Sequence, residues 1–403
     1  MKKKNNILLV SQFFWPESFP INSIIKKFKK FKFTVITAKP NYPEGKIFKK
    51  YLKSGVIREK FNSHYIYHVP VIPRKSGNSF FLFLNYISFL FSSIYYGKKY
   101  LKKSKFDVIF VYNTSPITQI ITGYYFKKLF KIKLITWVQD IWPESVSATD
   151  HITENLFFKI FRKFCHSIYK LNDLIILQSN YFYKYFTKYK IKVKKAYVPN
   201  SSNIDLSKIN KYKVSLKNKS RYNIVYAGNI GMAQHFENFE IFLQKLYKKN
   251  KHIKFHLIGS GSYKNILINK IKNKKLKNIE IYPYIKNKYL YNYLSEADVL
   301  FVSLKDKYIF NLTIPSKLQN YLACKKPILA WANGITKEII INANCGYVVK
   351  PGNITKLINA TLKITNKNYI KKMGRSSDIY YKKNFDLRII ISKLSKIINN
   401  SIN

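Results

Sequence analysis

The sequence predicts an α/β protein built from two doubly wound, parallel-sheet domains. Short apolar runs alternate with longer lysine-rich amphipathic stretches, a Pro-Asn-Ser break near residue 199 interrupts the alternation, and a second series of the same kind follows it. At 403 residues the chain is also too long for one ordinary core and suits two domains of roughly 150–200 residues each.

In the first series ILLVSQ (7–12), FTVITA (33–38), YIYHVPV (65–71), VIFVYN (108–113), LITWVQD (134–140) and LIILQS (174–179) read as buried strands. AYVPNSSNID (196–205) and the polar stretch after it read as a linker. The second series comprises YNIVYAGNIG (222–231), IKFHLIGSG (253–261), IEIYPYI (279–285), VLFVSL (299–304), PILAW (327–331) and GYVVKPG (346–352). The expected division is 1–198 for the first domain, 199–221 for the linker and 222–365 for the second domain. A helical tail, 366–403, is expected to cross back to the first domain. No repeat of solenoid period is visible.

Lysine and arginine outnumber aspartate and glutamate by 73 to 19, a net charge of +54. The lysines are spread along the whole chain without an Arg-rich block or a nucleic-acid module, which argues against nucleic acid as the partner. Asn, Ile, Tyr, Phe and Lys are enriched together, as AT-rich codon usage produces, and the resulting positive surface suits anionic lipid. Three cysteines without CxxC spacing fit a reducing cytosol. MKKKNNILLVSQFFWP reads as a first strand rather than a signal peptide, because Ser11 and Gln12 break its apolar run. Segment 79–97 carries no charged residue and approaches the length of a bilayer span. VIFVYN then returns to the sheet, so spanning is disfavoured. The expectation is an interfacial helix flanked by Lys98, Lys99, Lys102 and Lys103, with an ordinary buried helix as the alternative.

In open parallel sheets ligands sit beyond the carboxyl ends of the strands, so function is sought in the strand-to-helix loops and in a cleft between the domains. FFWPESFPIN (13–22), KPNYPEGK (39–46), NTSP (113–116) and QDIWPES (139–145) hold prolines, aromatic rings, carboxylates and amides, the groups that a hydroxyl-rich ligand requires. Trp137 is expected in the core, and Asp140 and Glu144 in the ligand wall. In the second series Gly228, Asn229 and Gly231, then Gly259 and Gly261, allow close backbone approach to a ligand, although tight turns often explain such glycines. TIPSKLQNYLACKKP (313–327) places Ser316 and Lys317 at a helix start, a phosphate site that needs no metal. The HxxxH patterns at 64–68 and 252–256 lie on strands and read as structural.

QFFWPESFPIN, KPNYPEGK, WVQDIWPES, VPN, YAGNIGMAQ, LIGSGSYK, TIPSKLQNYLACKKP and ANCGYVVKPGN together resemble glycosyltransferase family 4, in order from about residue 7 to 385. NYPEGK together with QDIWPES is similar to the bacterial O-antigen and colanic-acid subgroup that includes L-fucosamine and fucose transferases. The resemblance implies the GT-B fold and a retaining, metal-independent transferase without a resident cofactor, using a nucleotide-diphosphate sugar with UDP favoured. A deoxy- or N-acetyl sugar such as N-acetyl-L-fucosamine would be the group transferred. The acceptor implied is a polyprenyl-diphosphate-linked sugar at the inner face of the plasma membrane, in O-antigen or capsule synthesis. By motif position the resemblance assigns Gly228, Asn229, Gly231, Gly259, Gly261, Ser316, Lys317 and Asn320 to the donor. It leaves Glu17, Asn22, Asn41, Glu44, Trp142 and Glu144 for the acceptor, and Gln139, Asp140 and Lys317 for catalysis. The family's paired glutamates fall at Leu312 and Asn320, so both carboxylates are missing, and Ala233, Gln234 and His235 stand where relatives carry basic residues. A catalytically impaired scaffold and an epimerase-like GT-B protein are therefore the alternatives.

Overall fold

The computed structural model describes residues 4–75, 77–150, 155–202 and 215–402. Two compact units emerge, Met1–Pro199 with Leu387–Asn403, and Asn200–Asp386. Most of the linker expected at 199–221 falls on 203–214, outside the described residues.

The first unit runs β1 (Asn5–Val10), α1 (Pro20–Lys27), β2 (Phe31–Ala38), β3 (Ile57–Phe61), β4 (His64–Val69), α2 (Ser79–Leu101), β5 (Val108–Asn113), α3 (Gln119–Phe130), β6 (Leu134–Val138), α4 (Glu144–Asp150), α5 (Leu156–Tyr169), β7 (Leu174–Leu177), α6 (Phe182–Lys188) and β8 (Lys194–Tyr197). Its eight strands lie in the order β3-β4-β2-β1-β5-β6-β7-β8. All pairs are parallel except β3 with β4. A parallel sheet is covered on both faces, so its central strands are apolar throughout, and every residue of β5 is buried. Alternate side chains serve opposite layers. Ile7 and Leu9 join Ile21, Ile24 and Ile25 of α1 in one core. On the other face α2 and α3 meet through small residues: a Cβ on Gly97 would lie 2.4 Å from the Phe126 ring and 2.9 Å from Ile36.

β3 and β8 escape the apolar-run signal. β3 reads IREKF with Arg58 and Lys60 exposed and no residue fully buried, and β8 reads KKAY. Each is an edge strand with only one neighbour, so it needs no continuous apolar face.

The second unit runs β9 (Tyr222–Ala227), α7 (Phe239–Lys249), β10 (Ile253–Ile258), α8 (Lys264–Asn273), β11 (Ile279–Tyr282), α9 (Asn287–Ser295), β12 (Val299–Ser303), α10 (Tyr308–Leu312), α11 (Ser316–Ala323), β13 (Ile328–Trp331), α12 (Gly334–Asn342), β14 (Gly346–Val349), α13 (Ile354–Ile364) and α14 (Lys367–Asn384). Its six parallel strands are ordered β11-β10-β9-β12-β13-β14, so the winding reverses between β9 and β12. Phe239, Phe242, Phe255, Phe301 and Trp331 fill the core of this unit.

The expected tail at 366–403 is split. α14 stays in the second unit, packed on α11, whereas α15 (Leu387–Ile402) belongs to the first, where Ile390, Leu394 and Ile398 enter the core beside α1.

Candidate functional site

In the second unit a cavity of about 370 Å³ opens at the switch point, walled by the turn after β9, by Leu304 after β12 and by the first turn of α11. The β9 turn is held backbone against backbone. Gly228 N donates to Ile258 O at 2.9 Å, and Ile230 N to Ser260 O at 2.8 Å. Gly259 has φ +148°, and a Cβ there would lie 1.9 Å from Gly228 O, so only glycine allows the two turns to stack.

Lys317 reaches into this cavity from α11. Its ammonium donates to Tyr226 Oη at 2.6 Å and stands 4.3 Å from the centre of that ring, while Tyr226 Oη donates to Asn229 O. Lys317 makes no ion pair among the described residues, and lost hydration lowers its pKa to about 7. The first-turn amides of an α-helix have no intrahelical acceptor; Leu318 N turns back to Pro315 O at 2.9 Å, which leaves the Ser316 and Lys317 amides at the α11 start for a ligand. Ser316 is exposed, and Asn320 lines the wall with its Oδ1 accepting from Ser202 Oγ at 2.8 Å. The result is an unneutralised cation, free amides and a glycine turn around one space, an arrangement suited to a diphosphate.

In the first unit the loops after β1 and β2 are clasped by Glu17. The buried carboxylate accepts at Oε1 from Asn41 N (2.8 Å) and Tyr42 N (2.7 Å). Burial raises its pKa to about 7 against the opposing pull of those amides and of Arg74. Asn22 Nδ2 donates to Glu17 O at 2.5 Å, and Asn41 Oδ1 accepts from Arg74 N at 3.3 Å. The Arg74 guanidinium lies 5.5 Å from the Phe13 ring centre and 5.2 Å from that of Tyr42. Glu44 is exposed on the same loop. Among the described residues the cis X-Pro bonds, at Pro16, Pro43, Pro116 and Pro143, fall in these four loops.

After β6, Asp140 is partly open and accepts weakly from Ser115 Oγ (3.4 Å), and desolvation raises its pKa. Trp142 Nε1 donates to the same Ser115 Oγ at 3.1 Å. Gln139 is buried beside β7, its carbonyl near Gln178 Nε2 at 3.5 Å. Gln12 Oε1, Asn113 Oδ1 and Gln178 Oε1 are buried at the carboxyl ends of β1, β5 and β7 without a protein partner among the described residues. Buried polar atoms are rarely left so unless water or a polar ligand serves them.

Several assigned residues serve the scaffold instead. Glu144 is not available to an acceptor, because Oε1 takes Arg162 Nε at 2.6 Å and Oε2 takes the Tyr185 hydroxyl at 2.6 Å. Trp142 is only 8 % exposed, its ring held between Tyr86 and Phe161. Asn41 is fully buried in the loop clasp. Gly231, Gly259 and Gly261 stand outside the cavity wall, and a Cβ on Gly261 would meet Ile230 O at 2.5 Å. Trp137 is a core residue, donating from Nε1 to Val198 O at 3.0 Å. His64 and His256 are structural, bonded to Ile25 O and to Tyr282 and Asn223. Leu312 is buried apolar surface, so neither position of the family's glutamate pair carries a carboxylate. Tyr226, Arg74 and Ser115 escaped sequence reasoning, since each reads as an ordinary strand or loop residue until its distant partner is placed.

Residues 207–380 match the family of glycosyl transferases group 1. That stretch lies within the second unit. No curated protein matches the chain in sequence. Among solved structures, sucrose-phosphate synthase from Thermosynechococcus elongatus superposes with TM-score 0.71 at 14% identity, over 98% of this chain and 99% of that one. Anabaena Alr3699/HepE in complex with UDP gives 0.64 at 11% identity, over 98% and 100%. A glycosyltransferase from Rickettsia africae gives 0.62 at 17% identity, over 99% of both chains. At such identities these likenesses establish the fold, which is GT-B. The L-fucosamine and fucose subgroup has no support of this kind.

Proposed function

We propose that the protein is a retaining, metal-independent glycosyltransferase. It moves a sugar from a nucleotide-diphosphate donor, a UDP-sugar by preference, to a polyprenyl-diphosphate-linked sugar at the cytoplasmic face of the plasma membrane. The product belongs to a surface polysaccharide such as O-antigen or capsule, and the sugar to the deoxy- or N-acetyl class. The observation that carries this reading is Lys317, an ammonium without an ion-pair partner among the described residues, placed beside a helix start and a glycine turn in a cavity at the switch point. The Anabaena neighbour crystallised with UDP supports the nucleotide assignment.

In this mechanism the bond from sugar C1 to the diphosphate oxygen breaks, and the acceptor hydroxyl oxygen bonds to C1 on the same face. The acceptor proton leaves with the diphosphate. Lys317 and the α11 amides stabilise the charge growing on that leaving group. In the first unit Asp140, the Glu17 clasp and the unpartnered amide oxygens offer hydrogen bonds to the acceptor's hydroxyls.

The test is thermal stabilisation by UDP, GDP and their sugars, followed by transfer to a lipid-diphosphate acceptor. Lys317→Ala is expected to weaken UDP binding roughly 10- to 100-fold, the worth of a charged hydrogen bond, and to cut transfer at least as far. Because the free ammonium titrates near pH 7, wild-type affinity falls as pH rises through 7 to 9, and the variant lacks that slope. Unchanged UDP binding in a folded Lys317→Ala protein would remove the assignment. The missing glutamates favour a second reading, a binding scaffold without turnover, which UDP stabilisation with neither transfer nor donor hydrolysis would establish.

A further inference from the structure

α2 is built inside out. Its inward stripe is Asn85, Phe89, Ser93, Gly97 and Leu101, of which Asn85, Ser93 and Gly97 are polar or small. The outward stripe, Phe83, Ile87, Phe91 and Tyr95, also runs at i, i+4 spacing and is aromatic or aliphatic throughout. Phe83 is 59% exposed, Phe91 67% and Tyr95 62%. Burial normally ranks residues the other way. Among the described residues α2 is also the one helix long and apolar enough to cross a membrane, by length and composition only.

A second helix shows the same feature. On α5, Leu156, Phe157, Ile160 and Phe164 are each at least half exposed, with Phe157 at 74%. The two helices share one layer, since α3 packs against both. An aromatic chain joins them: Tyr86 of α2 lies 6.0 Å from the Trp142 ring, Trp142 lies 6.2 Å from Phe161, and Phe161 stacks on Phe164 at 6.5 Å. Trp142 belongs to the Asp140 loop. Asn85 of α2 accepts from Gln12 Nε2 at 2.7 Å, which ties the layer to the loop after β1 as well.

We propose that α2 and α5 form one docking face for an anionic lipid bilayer, with the Asp140 loop at its edge. The proposal deepens the reading above, on which it rests for the acceptor's lipid anchor, and it brings that acceptor to Asp140 from the membrane side. Charge selects the occupant. Neither helix contains an acid, and exposed lysines border both, with Lys98, Lys99, Lys102 and Lys103 at the end of α2 and Lys159 and Lys163 along α5. Such a rim matches lipid phosphates. A second copy of the chain would bring lysines against lysines.

The test is flotation of the full chain with vesicles of phosphatidylcholine containing about 30 mol% phosphatidylglycerol, an anionic content that attracts basic surfaces. Phe157→Glu/Phe164→Glu on α5 is expected to lower the bound fraction roughly tenfold, as is Phe83→Glu/Phe91→Glu on α2. All four positions are exposed, so melting temperature and UDP stabilisation are expected to stay at wild-type values. Full binding by the α5 variant overturns the two-helix face. Equal binding to pure phosphatidylcholine overturns the anionic partner. A dimer that the variants dissociate, with lipid binding unaltered, overturns the membrane altogether. UDP stabilisation reports on the second unit alone, so loss of flotation with UDP binding kept separates this proposal from the donor-site reading.

Discussion

Glu17 shows how one buried carboxylate serves two loops at a cost that depends on pH. Its pKa rises from 4.5 to about 7, so between those values the folded chain holds a proton that the unfolded chain has released. Glu17 therefore contributes stability at acidic pH, and that contribution falls as pH climbs towards 7. Glu17→Gln keeps the carbonyl that accepts from Asn41 N and Tyr42 N and removes the ionisation. The variant is expected to be more stable than wild type at pH 8, by up to about 3 kcal/mol, and to show a flatter stability profile from pH 5 to 8. Thermal melts across that range check it, and a profile that keeps the wild-type slope would assign the titration elsewhere. Lys317 is the complementary case, a cation kept poorly hydrated until an anion arrives.

At the scale of the element, α2 carries two demands on one helix. Its inner stripe must approach α3 closely, which Gly97 and the Ser93–Thr122 hydroxyl contact at 2.9 Å permit. Its outer stripe stays apolar against solvent. Gly97→Val would press a branched side chain into Phe126 and Ile36, both buried, and is expected to destabilise the first unit by about 1–3 kcal/mol. Urea unfolding followed by tryptophan fluorescence measures the loss, and an unchanged midpoint would mean that α2 rides loosely on α3. In the second unit the stacked glycine turns play the corresponding part, fixing the backbone that Lys317 faces.

At the scale of the molecule, the chain completes its first unit last. α15 supplies Ile390, Leu394 and Ile398 to a core otherwise built from residues before Pro199. Deleting 387–403 removes three fully buried aliphatic side chains from that core, each worth about 2–5 kcal/mol when truncated. The first unit is then expected to become protease-sensitive while UDP still protects the second. Equal resistance of both units in limited proteolysis would show that α15 is dispensable.

The sequence by itself determined the two alternating series, the central strands and the loops that matter. Strands covered on both faces must be apolar along their whole length, and ILLV, VIFVYN and VLFVS carry that signal locally. The loops at 13–22, 39–46 and 139–145 stood out because prolines, aromatics and rare acids are crowded there, and Lys317 because it follows a helix start. Partners remote in sequence were decided only by the tertiary structure. Glu144 reads like a ligand until Arg162 and Tyr185 close on it. Tyr226 reads as a strand residue until Lys317, 91 positions later, lands on its hydroxyl. The edge strands β3 and β8, the split of the last two helices and the aromatic bridge through Trp142 are likewise outcomes of packing. A local window records how each residue suits its own element, whereas the groups that neutralise, cover or expose it are brought there by the closure of long loops.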